Sequence, residues 1–177
     1  MKSVGYYTNP KLAEALVQTL RQDFAANMTW LDKSYPIVQE HFDENESYPI
    51  VYANDGTIEN IDLRPDNSLD SYCFFEHLGA NIQNEDEPIA YNLAVVFWFD
   101  LSQIDSTQTQ DYTWNLISHI LLRLKTNGCY DISVSTNTDE IFDRYSFELN
   151  KQQLMRKFSG CKISFTMYGD NSLCAFG

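Results

Sequence analysis

One run limits the fold more than any other. Leu93-Ala94-Val95-Val96-Phe97-Trp98-Phe99 is apolar at every position. Successive side chains of a strand point to opposite faces, so such a run has no solvent side. It predicts a central strand, Ala90 to Leu101, covered on both faces. The run is far short of the roughly 20 residues that a membrane-spanning helix needs. With 177 residues, the chain suits one domain that buries roughly 70% of its unfolded surface.

The remaining elements follow from period and punctuation. Leu12, Leu16, Leu20 and Phe24 recur every fourth residue, with Ala13 and Val17 beside them. That stripe predicts a helix over 10–28, with Asn9 as cap and Pro10 in the first turn. Ser34-Tyr35-Pro36-Ile37-Val38 returns as Ser47-Tyr48-Pro49-Ile50-Val51. The two copies, separated by the polar stretch His41 to Glu46, predict a hairpin. Asn54-Asp55-Gly56 is a turn signal, with a short strand at Ile61-Asp62-Leu63 beyond it. Ser71 to Leu78 reads as a strand. Residues 109–126 predict a second helix with Trp114, Ile117, Leu121 and Leu124 inward and Gly128 as its C-cap. Ile132 to Ser135 is a short strand. Thr138 to Tyr145 suits a helical turn or two capped by Thr138, with Ile141 and Phe142 inward. Asn150 to Phe158 suits a short helix. Lys162 to Tyr168 alternates, with Ile163, Phe165 and Met167 inward and Lys162, Ser164 and Thr166 outward. The sum is one α+β domain over 1–177, a mostly antiparallel sheet of about four to six strands flanked by two main helices. A short arm (about 1–9) and a tail (about 170–177) complete it.

Charge is unevenly placed. The chain has 25 acidic and 12 basic residues, a net of -13. Residues 34–122 hold sixteen acids against one base, Arg64, while both flanking segments are nearly neutral. A general nucleic-acid binder needs the opposite sign to neutralise phosphates. Aromatics at 14% exclude a disordered chain, and 7 Gly with 5 Pro exclude a collagen-like one. The N-terminus lacks the apolar core of a signal peptide, so synthesis and retention in the cytoplasm are expected. Cys73, Cys129, Cys161 and Cys174 form no CxxC pair, so neither a zinc site nor a disulfide is expected.

Chemistry-bearing patterns are scarce. His41, His77 and His119 stand alone, and no phosphate-cradling glycine loop or GxSxG elbow occurs. Pro65-Asp66 followed by Glu76-His77-Leu78 echoes a metal-dependent nuclease core, but Leu78 stands where the lysine belongs. No catalytic residue, cofactor or metal is therefore expected, and no enzyme. Two acidic loops remain as candidates: Asp43, Glu44 and Glu46, and then Glu85, Asp86 and Glu87. Four tyrosines, Tyr6, Tyr7, Tyr35 and Tyr48, are candidate interface aromatics, since Tyr is enriched at binding hot spots.

Four segments stand out together: Tyr48-Pro49-Ile50-Val51-Tyr52, Asn54-Asp55-Gly56, Asp70-Ser71-Tyr72-Cys73-Phe74-Phe75 and Val95-Val96-Phe97-Trp98-Phe99-Asp100-Leu101. Asp139-Glu140-Ile141-Phe142-Asp143-Arg144-Tyr145 and Gln153-Leu154-Met155 add to them. In these segments the chain resembles tail-terminator and head–tail joining proteins of tailed bacteriophages. It is similar to small neck and tail-completion proteins of phages of gut bacteria, including crAss-like phages. Such relatives more often read Met-x-Pro-Tyr where this chain has Met155-Arg156-Lys157-Phe158. The resemblance implies a virion protein of the neck or tail, a homo-oligomeric ring with sixfold or twelvefold symmetry. Its neighbours would be portal, connector and tail proteins, with DNA passing through its channel and no membrane involved. The acidic loops would then face either that lumen or an interface. The competing expectation is a soluble acidic interaction protein or inhibitor that blocks a basic partner.

Overall fold

The computed structural model describes residues 11–52, 60–65, 71–81, 88–104, 112–148 and 158–169. The chain is α+β. Its elements are α1 (Lys11–Asn27), β1 (Lys33–Ile37), β2 (Gln39–Phe42), β3 (Ser47–Tyr52), β4 (Asn60–Asp62), β5 (Tyr72–Asn81), β6 (Ile89–Asp100), α2 (Leu101–Ile104), α3 (Tyr112–Thr126), β7 (Tyr130–Ser135), α4 (Thr138–Ile141) and β8 (Phe158–Gly169). Five strands form one sheet in the order β1-β5-β6-β8-β7. β1 is parallel to β5 and the other pairs are antiparallel. A smaller antiparallel sheet has the order β2-β3-β4.

The all-apolar run becomes the central strand, β6, and both its faces are covered. Leu93, Val95, Phe97 and Phe99 face α1 and α3, where Val17, Leu20, Phe24, Ile117 and Ile120 pack against them. Ring contacts join this layer: Phe24 to Phe97 at 5.7 Å and Trp30 to Phe99 at 5.5 Å between centroids. Asp23 and Arg123 form an ion pair that ties α1 to α3. The alternate residues Val96 and Trp98 face a second cluster with Tyr72, Phe74, Leu63, Ile141, Phe142 and Tyr145. This cluster includes residues of the small sheet and of the segment after α4. Ser146 closes that side as a clip: its Oγ accepts from Ser47 N at 2.7 Å, and its own N–H reaches the Ser47 carbonyl at 3.2 Å.

The helix stripe of α1 and its period are as the sequence predicts, and Gly128 ends α3 with φ +73°. Several expectations need correction. The two Ser-Tyr-Pro-Ile-Val copies do not pair. The first is β1, bound to β5 in the large sheet, and the second is β3, whose hairpin partner is Gln39–Phe42. Val38 is the pivot, donating to the Phe75 carbonyl at 2.9 Å. Local likeness does not choose a partner; the buried edge of β5 does. On α3 the inward residues are Thr113, Leu116, Ile117, Ile120 and Leu124, and Trp114 is 59% exposed. Of the expected face, Ile117 and Leu124 are buried, as is Ile120 beside them, and Leu121 is half-buried; Trp114 is the one member turned outward. Asn137, not Thr138, caps α4, accepting from Asp139 N at 3.2 Å. The helix expected over 150–158 falls outside the described residues except for Phe158, which opens β8. Finally, Lys162 on the expected outer face of β8 is only 11% exposed in its side chain, which reaches Glu76 and the Asp143 of the turn after α4.

Candidate functional site

The β2–β3 hairpin presents the first acidic candidates. Asp43 and Glu44 lie at its exposed turn, and Asp43 N donates to the Glu46 carbonyl at 2.9 Å to close it. Asp43 Oδ1 accepts from Glu44 N at 2.7 Å, an arrangement that suits Asp in a turn. Glu46 differs from its neighbours. It is half-buried and ion-paired with Arg64.

Arg64 lies two residues beyond the short strand β4 and gathers several groups. It pairs with Asp62 at 2.6 Å as well as with Glu46, and its guanidinium lies 4.0 Å from the Tyr48 ring centroid. Asp62 above all holds the Arg64 pKa above its ordinary value. The lone cation of the acidic segment is thus consumed locally. Asp43 and Glu44 receive nothing from it.

The candidate tyrosines are engaged in different ways. Tyr48 is half-buried beneath Arg64, and the His41 ring lies 5.1 Å from its own, centroid to centroid. Tyr35 is half-buried, edge-on to Tyr72 at 6.2 Å, and burial raises its pKa. Tyr6, Tyr7, Glu85, Asp86 and Glu87 lie outside the described residues.

A second polar cluster was not foreseen. Glu76 is 0% exposed on β5, on the face that carries Phe74. Lys162 Nζ reaches it at 2.9 Å from β8 and also reaches Asp143 Oδ1 at 2.6 Å. Ala94 stands between Glu76 and Ser164 in the sheet register, and its small side chain leaves room for this bridge. Burial by itself lowers the Lys162 pKa, but the charges of Glu76 and Asp143 outweigh it and leave it raised. The Tyr145 hydroxyl is buried nearby, and burial, then the Glu76 charge, push its pKa up. The sequence held one signal: an acid directly after Tyr72-Cys73-Phe74-Phe75 in a strand demands a buried cation. Its source, a lysine in a strand that alternates as a surface strand does, was hidden by sequence distance.

This cluster is sealed rather than open to substrate. Glu76 cannot serve a metal or a phosphate while it is buried against Lys162, and Asp66 lies outside the described residues. No group of three or more metal-ligating side chains occurs among the described residues. Burial pushes the thiols of Cys73 and Cys129 up to about 12, which makes them poor nucleophiles. His119 accepts from Trp30 Nε1 at 3.4 Å, a packing contact between α3 and the segment that follows α1. No helix among the described residues is long and apolar enough to cross a membrane. Comparison with known protein families, with curated proteins and with solved structures finds no match for this chain.

Proposed function

We propose that the chain is a structural subunit of a tailed-bacteriophage neck, one copy of a ring that joins the portal-connector region to the tail. It acts by assembly and shape, and not as an enzyme. The observation that carries this reading is the uncompensated charge. Residues 34–122 hold one cation, Arg64, and it is spent on Glu46 and Asp62. Glu76 is buried and offset by Lys162, and the other acids still leave the segment with a net negative field. Along a DNA channel, such a field repels phosphates over roughly 8 Å at physiological salt and keeps the genome from adhering as it slides.

The α+β architecture with a sheet covered on both sides gives each copy a rigid body, as a ring subunit requires. The resemblance noted in the sequence agrees with it. Native mass spectrometry of the purified chain tests the reading. A sixfold or twelvefold multiple of 20.5 kDa is expected. A monomer or dimer that captures a basic protein instead assigns the chain to the soluble acidic interaction class. Reversal of charge at Glu85, Asp86 and Glu87 then separates two placements of that loop. Assembled particles that retain DNA indicate the lumen, and failed assembly indicates an interface.

A further inference from the structure

Arg21 stands apart from the other buried cations. It is half-buried on α1. Its Nε donates to the Ser34 carbonyl at 2.9 Å, and a terminal nitrogen donates to Gln18 Oε1 at 2.9 Å. These bonds fix the plane of the guanidinium and use two of its five donors. Arg64, Arg123 and Lys162 each have a carboxylate partner. Among the described residues no carboxylate lies within ion-pairing distance of Arg21, in a chain with 25 acids.

Arg21 also lines a cleft of ≈ 490 Å³ between α1 and the start of the two sheets. Pro36, Ile37, Ile50 and Val51 form its apolar wall. Ligand clefts run from roughly 300 to 1,000 Å³ and combine apolar walls with a few fixed polar groups. Glu14 lines the same cleft about two helical turns from Arg21, roughly 10 Å along the axis. The cleft therefore has a cationic end and an anionic end, and an acidic ligand belongs at Arg21.

The matching shape lies on the same chain. Phe42 is 71% exposed at the end of β2, and Asp43 and Glu44 are exposed beside it. An aromatic ring with two carboxylates complements an apolar wall with a fixed guanidinium, the pairing that gives bidentate charge-assisted hydrogen bonds. Intramolecular docking is excluded by the register. Phe42 pairs with Ser47 at one end of the hairpin, while Ile50 pairs with Gln39 at the other end, where both line the cleft.

We infer that the Phe42-Asp43-Glu44 tip of one copy docks in the Arg21 cleft of the next, with its carboxylates on the guanidinium and its ring against Ile37, Ile50 and Val51. The contact joins two different surfaces, so it is head-to-tail and propagates into a ring or a filament. It rests on the ring reading and names the contact that builds the ring. It also assigns Asp43 and Glu44 to the interface instead of the lumen.

Disulfide trapping with the full chain tests it. Two variants, A15C and N45C, are made in a C174S background; the cysteines at 73, 129 and 161 are buried. Ala15 lines the cleft and Asn45 is exposed at the tip, and neither is one of the contact residues named above. Mixing them under oxidising conditions is expected to give a covalent dimer at least tenfold more abundant than either variant gives alone. D43K/E44K on the exposed turn is expected to reduce the oligomer at least tenfold relative to wild type, and R21E to restore it when the two changes are combined, which loss of the turn alone would not allow. Rings seen by negative stain with no A15C–N45C trapping overturn this contact and leave the ring reading standing. Trapped pairs without rings uphold the contact and overturn the ring reading. Neither trapping nor rings overturns both.

Discussion

The two faces of the five-stranded sheet are closed by different chemistry. On the helix side, Leu93, Val95, Phe97 and Phe99 meet α1 and α3 through hydrocarbon and rings alone. On the hairpin side, Glu76 and Lys162 share a layer with Phe74, Val96 and Trp98. The first face is fault-tolerant in chemistry and intolerant in volume. The second depends on a charge balance: either ion left alone loses the partner that offsets its desolvation. The hairpin-side layer is thus held by specific partners, and the helix-side layer by burial.

Substitutions can break this contrast. Phe97→Ala on the helix side is expected to have the largest effect, a loss of about 3–5 kcal/mol from lost transfer energy and a cavity. Urea unfolding measures it, with the midpoint falling and the slope unchanged. On the hairpin side, Lys162→Met leaves Glu76 buried without its cation and is expected to cost about 3 kcal/mol. Adding Glu76→Leu in the same chain should recover most of that loss, because two apolar residues often replace a buried pair at no cost. A double variant as unstable as the single one would show that the pair is not a unit. The intact pair also has a pH signature. Lys162 is held above its ordinary pKa, so its contribution is complete below about pH 10 and is lost as pH rises through the folded value. Alkaline titration of wild type against the double variant checks this.

Between the faces lies Gly160. A Cβ there would stand 2.8 Å from the Phe97 carbonyl oxygen and 3.2 Å from a Trp98 ring carbon. Gly160→Ala is expected to cost about 1–3 kcal/mol, since backbone must shift to admit it. The smallest effect is expected from Asp23→Asn at the α1–α3 pair. The hydrogen bond from Arg123 leads the causes that hold the Asp23 carboxyl below its ordinary value. Its contribution is therefore present above about pH 4 and is lost as pH falls through the folded value. Thermal unfolding of the variant should differ from wild type at neutral pH and converge with it in acid.

The contrast also explains what the sequence disclosed. The helix-side face was legible because periodicity encodes it: α1 buries Leu12, Ala13, Val17, Leu20 and Phe24, all within the expected stripe. The apolar run of β6 likewise implied cover on both sides. The hairpin-side face was less legible because its partners are remote. Glu76 and Lys162 are brought together only by the β5-β6-β8 order, which no local pattern contains. The echo of Ser-Tyr-Pro-Ile-Val misled for the same reason, since strand pairing is set by register against β5 and β3 and not by likeness. Of the candidate acids, Asp43 and Glu44 were readable as a turn, whereas the capture of Glu46 by Arg64 required the return of β4 alongside β3. Arg21 passed unnoticed because a basic residue on a helix reads as solvated until the cleft beside it is seen.

The most direct measurement of the central claim is an electron cryo-microscopy reconstruction of the assembled protein with its lumen resolved. A closed ring is expected, with an acidic channel wall drawn from residues 34–122 and the Asp43 and Glu44 tips engaged between subunits. An assembly with a neutral or basic channel, or a protein that stays monomeric beside its neck partners, would contradict it.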